Sequence, residues 1–544
     1  MYKYLLILII SLIFIFDCAY ATDNYIPIRA GISDTSFKTY IFDTVKFNNA
    51  GNLQVVDSAT GYSVPTNKNA QILKVTSENN LFRIYVDDVL VARNLTGPIT
   101  ISSHDEHFIE INGLKRKGVQ AAYRGIIELV RSSKDSSKFS IVNILSLKNY
   151  LRGVVPNEMP VRFGLEPLKA QTIAARNYAV TPRVKAYEEF DLCDSVACQV
   201  YFGANTEDAL SDEAIEETNG VIALDNEDKP ILALYSSTAG GYTESYQYAF
   251  SDPTTKEFPS KDIHYLTAVA DNSEFEGFET DEKAEAFYTS KPQAFDDESP
   301  YYRWSKEWSI DELEKVLNKT LPTQSKTGFV SPSVENGENI GKLLSIKALE
   351  RGKSGKIIKL EIKTDKNTYT VQKELVIRRC FQKDGISLPS ANFVINYIQA
   401  EKPVYKFNGG GFGHGVGLSQ WGAGKMGSLG YNYVDILQHY YQGIKLATIP
   451  IDIYSNNKYV DRKFYTNHKE AKVYIKNHDN ADEIRILINT KEIEQKLKDD
   501  LTVIDISKYV KKGENYISFV LIDKEINVIK KVTVYTEISE AKNE

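Results

Sequence analysis

Apolar and polar residues alternate along Phe82-Arg83-Ile84-Tyr85-Val86, and β-type runs such as Thr39-Tyr40-Ile41-Phe42 recur between Asn, Asp and Gly turns over residues 24–130. That period of two predicts strands with one buried face, and hence a β-rich N-terminal region over 22–130. The texture then changes. A strand-like Phe139-Ser140-Ile141-Val142-Asn143 leads into a proline-punctuated loop, then into a helix beginning at Pro167 and stopping near Thr181-Pro182, since proline suits a first helical turn and disfavours the helix just before itself. A charged stretch dotted with Trp and Tyr, 270–325, contains a second helix over 309–317, opened by the capping-box pattern Ser309-Ile310-Asp311-Glu312. Strands return over 343–382, and a third helix, 434–442, ends at Gly443. From 448 to 544 the period of two resumes, most plainly over 505–519, and predicts a C-terminal β-sandwich. The fold class expected is α+β: a mixed α/β core over 131–447 between two β-rich regions.

A chain of 544 residues has ample core for several folding units. Residues 1–21 hold one cation at Lys3, a thirteen-residue run from Tyr4 to Phe16 broken only by Ser11, then Asp17 and Ala19-Tyr20-Ala21. This is the pattern of a secretory signal cleaved after Ala21, and the run is short of the ~20 residues that span a bilayer. The expectation is an exported periplasmic or extracellular envelope protein with no transmembrane segment in the mature chain. Asp17 argues against lipid modification at Cys18. A net charge of −7 argues against nucleic-acid binding, which favours basic patches. Cys193 and Cys198 can form a local disulfide in an oxidising compartment, and Cys380 reads as a small buried hydrophobe.

Glu158 stands between Pro156 and Pro160 with apolar Val154, Val155 and Met159 around it, surroundings able to keep a carboxyl protonated by desolvation. Taken alone, a loop glutamate is more often merely solvated. On the following helix Lys169, Ile173 and Arg176 share one face; the plain reading is a solvated surface, although Ala170, Ala174 and Ala175 leave room for a close-packed layer. Ten glycines fall in 408–430, a density that predicts left-handed or close-approach backbone in place of a regular element. Within it Gly422-Ala423-Gly424-Lys425-Met426-Gly427 matches G-x-G-x-x-G, but no strand–turn–helix context supports a dinucleotide site.

Three motifs then stand in order. The first is Asn157-Glu158-Met159-Pro160 followed by Leu168-Lys169-Ala170-Gln171-Thr172-Ile173-Ala174-Ala175-Arg176-Asn177-Tyr178-Ala179. The second is Tyr235-Ser236-Ser237-Thr238-Ala239-Gly240-Gly241-Tyr242-Thr243-Glu244. The third is Gly411-Phe412-Gly413-His414-Gly415-Val416-Gly417-Leu418-Ser419-Gln420-Trp421-Gly422-Ala423. In content and order they resemble the SpoIID/LytB family, over roughly residues 25–447. The resemblance implies lytic transglycosylase action on peptidoglycan glycan strands, with Glu158 as catalytic acid/base and Lys169 and Arg176 at positions needed for activity.

A substrate groove lined by Lys169, Arg176, Tyr201, Ser236, Ser237, Thr238, Gly240, Gly241, Thr243, Glu244, His414, Ser419, Gln420 and Trp421 is expected on the same ground. Lys169 and Arg176 would face substrate carboxylates such as the lactyl group of muramic acid, for which Arg is a bidentate partner. For His414, bracing the loop is an equal alternative. Glu244 and Asp271 are the carboxylates to consider if a second one were needed, as in ordinary glycosidases. In some relatives the loop matching Cys193 to Cys198 carries a histidine beside the cysteines and looks able to hold zinc; here Ala197 precedes Cys198 and the loop has no histidine. Two thiolates do not complete a four-ligand site, so a Cys193–Cys198 disulfide is expected, with no metal and no cofactor.

Three readings compete: a transglycosylase on denuded strands; a non-catalytic peptidoglycan-binding enhancer of a cell-wall amidase; and a structural envelope protein in which Glu158 is an ordinary carboxylate. Release of anhydro-muropeptides from sacculi separates the first from the others.

Overall fold

The computed structural model describes residues 26–105, 107–181, 187–457, 459–466, 470–498, 500–522 and 528–539; the expected signal segment lies outside them. Among the described residues no helix is long and apolar enough to cross a membrane. Helix and strand are mixed throughout, as an α+β fold requires. The chain divides into two compact units, one of residues up to 224 and from 445, the other of residues 225–444.

In the first unit the alternating N-terminal runs build two sheets, antiparallel except where the edge strand Leu192–Cys193 runs parallel to Pro27–Ile32. One, of six strands, includes Leu81–Val86 and Val89–Leu95; the other, of seven, has Phe139–Ser146 near its middle, between Pro27–Ile32 and Ile126–Arg131. The expected division at 130/131 therefore runs through a hydrogen-bonded sheet and is not a boundary. Helix α1, Leu147–Glu158, leaves that sheet with Ser146 as its N-cap, the hydroxyl accepting from Asn149 N–H. Helix α2, Leu165–Val180, starts two residues before Pro167 and is buried continuously from Pro167 to Asn177, so it is a central element. Helix α3, Ala209–Glu217, packs on it.

Strand Val221–Leu224 pairs antiparallel with Lys445–Thr448, so the chain leaves this unit and rejoins it at neighbouring strands. The remaining residues form β-structure in two sheets. Four strands, including Val460–Thr466 and Gly513–Ile522, make one; Glu470–Asn477, Leu501–Asp505 and Lys531–Ser539 join Lys445–Thr448 in the other. The expected C-terminal sandwich thus continues a sheet that begins at Val221.

The second unit is built on a core of Trp308, Leu313, Leu317, Leu321, Ile357, Leu360, Phe393 and Phe407. Its helices are α4 (Asp281–Thr289), α5 (Ile310–Ser325), α6 (Glu374–Cys380), α7 (Gln420–Ser428) and α8 (Tyr433–Tyr440). The capping box at Ser309 and Glu312 is present, and α5 runs well past 317. Strand pattern over 343–382 gives way to α6, which carries the buried, unbridged Cys380. The 408–430 stretch divides. Gly411, Gly413, Gly415 and Gly417 do take left-handed backbone, but Gly422, Gly424 and Gly427 lie inside α7, where a Cβ at Gly422 would collide with the Tyr440 hydroxyl. Close packing against α8 accounts for the first glycine of the G-x-G-x-x-G match.

Candidate functional site

Glu158 is the last residue of α1, not a loop residue, because the helix accommodates Pro156 in its final turn. Met159 then caps it, its N–H donating to Val155 O at 3.0 Å. Val154, Val155 and Met159 point into the core, while Glu158 stays half-buried. A carboxylate at this end meets the negative pole of the helix, which costs stability on the order of 0.3–1 kcal/mol. What holds it is a backbone donor, Val200 N–H, 2.5 Å from Glu158 Oε1.

That donor is fixed from both sides. Cys193 and Cys198 are disulfide-bonded. Between them the buried Asp194 carboxylate accepts from Arg116 Nη2 at 2.6 Å, Ser33 Oγ at 2.7 Å and Ser33 N–H at 3.0 Å. Beyond them Gln199 donates to Ala175 O on α2 and accepts from the Tyr150 hydroxyl on α1, and Phe202 N–H donates to Gly153 O. Tyr201, expected at the substrate, is instead 1 % exposed, with its hydroxyl 2.6 Å from Asn143 Oδ1 and its ring against Tyr150. It lies so close to α1 that a Cβ at Gly153 would stand 2.5 Å from the ring. Arg116 and Asp194 were not singled out in the sequence, since nothing local marks residues 78 apart as partners.

Lys169 and Arg176 are also relocated. Lys169 is buried, its ammonium 2.7 Å from both Glu166 and Glu217 carboxylates. Burial alone would pull its pKa down, but the two carboxylates more than offset that and hold it above the ordinary lysine value. Arg176 is fully buried; its guanidinium donates to Val221 O at 2.9 Å and reaches Thr218 Oγ1 at 3.5 Å. The shared face they form is real, but it faces α3 and the strand at Val221.

In the second unit the other two motifs meet. Strand Tyr235–Ser236 pairs in parallel with Leu418–Ser419. Thr238 and Phe412 exchange backbone hydrogen bonds at 2.8 and 3.2 Å. Trp421 N–H donates to Ser237 O at 3.1 Å, and Ala239 N–H to Ser419 Oγ at 3.2 Å. Gly240 needs its glycine: at φ +90 a Cβ would meet Gly411 N at 2.9 Å. Gly241, also left-handed, accepts from Asp271 N–H at its carbonyl, 3.0 Å away. Thr243 pairs with Val269 through its backbone and hydroxyl. Ser236, Ser419 and Gln420 are buried, Ser237 and Trp421 half-buried.

Beneath this junction lies a polar layer that the sequence reading missed in part. Asp296, fully buried, accepts from Gly240 N–H at 2.8 Å and Ser419 Oγ at 3.1 Å; burial, then the Asp271 charge, pushes it up to about 7. Asp271 accepts from His439 Nε2 and the Tyr440 hydroxyl, each at 3.2 Å. Glu244 accepts from Ser354 Oγ at 2.7 Å and Ser245 N–H at 2.9 Å, and burial raises its pKa. Buried Lys356 donates to Asn392 Oδ1 at 2.5 Å. His414 Nδ1 accepts from Val416 N–H at 3.1 Å; burial, with Lys356 and Arg378 nearby, pulls it down to about 3, so the ring is neutral near pH 7. His414 thus braces the Gly-rich loop, while the Glu244 and Asp271 carboxylates are engaged by Ser354 and Ser245 and by α8.

Comparisons with known proteins follow this division of the chain. The family model described as stage II sporulation protein matches residues 135–224, and one described as a domain of unknown function (DUF8618) matches 253–417. The chain is similar to the amidase enhancer of Bacillus subtilis (strain 168), 30% identical over 311 residues, 55% of this chain and 40% of that protein. It is similar to stage II sporulation protein D of Bacillus amyloliquefaciens, 28% identical over 335 residues, 57% of this chain and 77% of that protein. The corresponding protein of Bacillus subtilis (strain 168) is 27% identical over 347 residues, 60% of this chain and 80% of that protein. The match therefore spans under half of the amidase enhancer and more than two thirds of each sporulation protein.

Proposed function

Because this chain belongs to the SpoIID/LytB family and so has a cell-wall-related role, we propose that it is a lytic transglycosylase of peptidoglycan glycan strands, with Glu158 as its acid and base. The observation that carries this reading is the placement of Glu158: a half-buried carboxyl at a helix end that does not favour it, steadied by a backbone N–H two residues past a disulfide-closed loop. In the reaction Glu158 gives its proton to the glycosidic oxygen as the C1–O bond breaks. The resulting carboxylate then takes the proton of the muramyl C6 hydroxyl as O6 bonds to C1. Glu158 ends protonated, no water is consumed, and the product carries a 1,6-anhydro end. One carboxyl suffices, so Glu244 and Asp271, already engaged inside their own unit, are not needed. Denuded strands are the preferred substrate in this proposal, and the protein acts in the periplasm or extracellular envelope.

Mass spectrometry of the products released from sacculi by wild type and by Glu158→Gln tests this. Anhydro-muramyl ends from wild type alone support it; their absence from both removes the enzyme reading. The similarity to a protein named amidase enhancer favours one alternative, a non-catalytic partner of a cell-wall amidase. Stimulation of an amidase without anhydro products would identify it.

A further inference from the structure

The Tyr301 and Phe412 rings stack with centroids 4.4 Å apart and planes 17° apart, yet they remain 38% and 40% exposed. By contrast, the Phe278–Phe287 stack of the same unit, 3.8 Å apart, belongs to a buried cluster. Core packing therefore does not account for the outer pair. Its rings are set by backbone. Gly411 N–H donates to Tyr301 O at 2.8 Å, and Phe412 N–H to Thr238 O at 2.8 Å. Gly411 and Gly413, on either side of Phe412, hold φ values of +87 and +108 that a side chain would strain. Ser299 Oγ joins Thr238 Oγ1 at 2.7 Å and accepts from Tyr301 N–H at 3.1 Å, tying both ring-bearing segments to one hydroxyl pair. Rings held this way lose little freedom when something binds them.

Size and surroundings select the occupant. Two aromatic side chains exposed to this degree offer on the order of 150 Å² together, far below the ~800 Å² per partner of a stable protein interface. That area matches the face of one or two pyranose rings. The rings rise from Ser-Pro-Tyr and Gly-Gly-Phe-Gly segments whose nearest hydroxyls, on Ser299 and Thr238, are buried and bonded to each other, so what they present outward is a flat apolar face. A hexosamine has the matching build, an apolar C–H face edged by hydroxyl and acetamido groups.

Resting on the glycan-strand reading above, we propose that the Tyr301–Phe412 stack is a sugar-stacking subsite that holds a hexosamine unit of the strand. It gives the stretch matched by the domain of unknown function a part in substrate binding.

The test measures binding of denuded glycan strands to the full chain by co-sedimentation, for wild type, Phe412→Ala, Phe412→Leu, Phe412→Trp and Tyr301→Ala, with a thermal melt of each. Phe412→Ala should weaken binding about tenfold, roughly what losing one stacked aromatic contact costs, with little change in melting because the ring is exposed. Phe412→Trp should bind like wild type. Phe412→Leu, apolar but not flat, should fall with the alanine variant. Wild-type binding by the leucine or alanine variant overturns the subsite while leaving the glycan reading intact. A wild type that neither binds nor cleaves strands overturns the glycan reading and this inference with it.

Discussion

In α2 the two cations turn inward: Lys169 lies between Glu166 and Glu217, and Arg176 ends on Val221 O. In the Gly-rich loop of the other unit, the polar side chains of His414 and Ser419 also turn inward, while the aromatic Phe412 faces solvent. Both segments read from sequence as ligand-binding because of their charged or polar residues. In both, those residues satisfy the fold. The lesson is that a motif's polar positions are as often the mount as the contact; the contacts proposed above are the half-buried Glu158 in one unit and the partly exposed Tyr301–Phe412 stack in the other.

The sharpest test of this contrast is Glu158→Gln, which keeps the mount and removes the proton. Strand cleavage should fall by a factor of ~10² or more, the usual loss with a general acid, while the melt stays close to wild type. Arg176→Ala should do the reverse. Losing a fully buried guanidinium and leaving Val221 O without it should cost about 3 kcal/mol of stability, read by chemical denaturation. Any loss of activity should be equal on denuded and peptide-bearing strands; a loss confined to denuded strands would restore Arg176 to the substrate. Reducing the Cys193–Cys198 disulfide should cost ~2 kcal/mol, small because the loop it closes is short. Its mark should be a drop in cleavage at temperatures where the fold persists, since the Val200 donor follows that loop by two residues.

The smallest effect is a pH slope from the second unit. Asp296, at about 7 when folded against an ordinary 3.8, keeps its proton where the unfolded chain has lost it. Its stabilisation is complete below 3.8 and is lost as pH rises through 7. His414, at about 3 against 6.5, works the other way: the unfolded chain binds the extra proton between those values, so stability rises with pH up to 6.5. Above 6.5 only the Asp296 slope of this pair remains. The melting temperature should drift down from pH 6.5 to 8, and Asp296→Asn should flatten the drift; an unchanged slope would detach Asp296 from it.

Local signals carried well. Pro167 marked the first turn of α2, Ser309 and Glu312 marked the start of α5, and period-two runs marked the strands. The failures have long-range causes. Pro156 signalled a break, yet it sits in the last turn of α1, where the helix ends two residues later. Glycines 422 to 427 signalled a loop, but the reason for Gly422 is the Tyr440 hydroxyl on another helix. Lys169 and Arg176 on an Ala-rich helix looked solvated because Glu217 and Val221 O, which satisfy them, lie more than 40 residues away. Asp296 carries no motif at all; its role comes from Gly240 N–H and the Ser419 hydroxyl.

The pairing of Val221–Leu224 with Lys445–Thr448 bears on the order in which the molecule can be finished during synthesis. The second unit, 225–444, is continuous in sequence and holds all of its own strand partners as soon as Ile444 has emerged. The first is interrupted: until Lys445 follows, the strand at Val221 has no neighbour of its final sheet, and α2, whose Arg176 and Asn177 bond to that strand, rests on an open edge. The later-begun unit is therefore able to complete first, and the N-terminal one has to wait through the whole insertion with a sheet edge unpaired. An exposed edge over that interval is the point in this protein's life most open to misassembly, and the place where a chaperone or a slow ribosome would have its greatest effect.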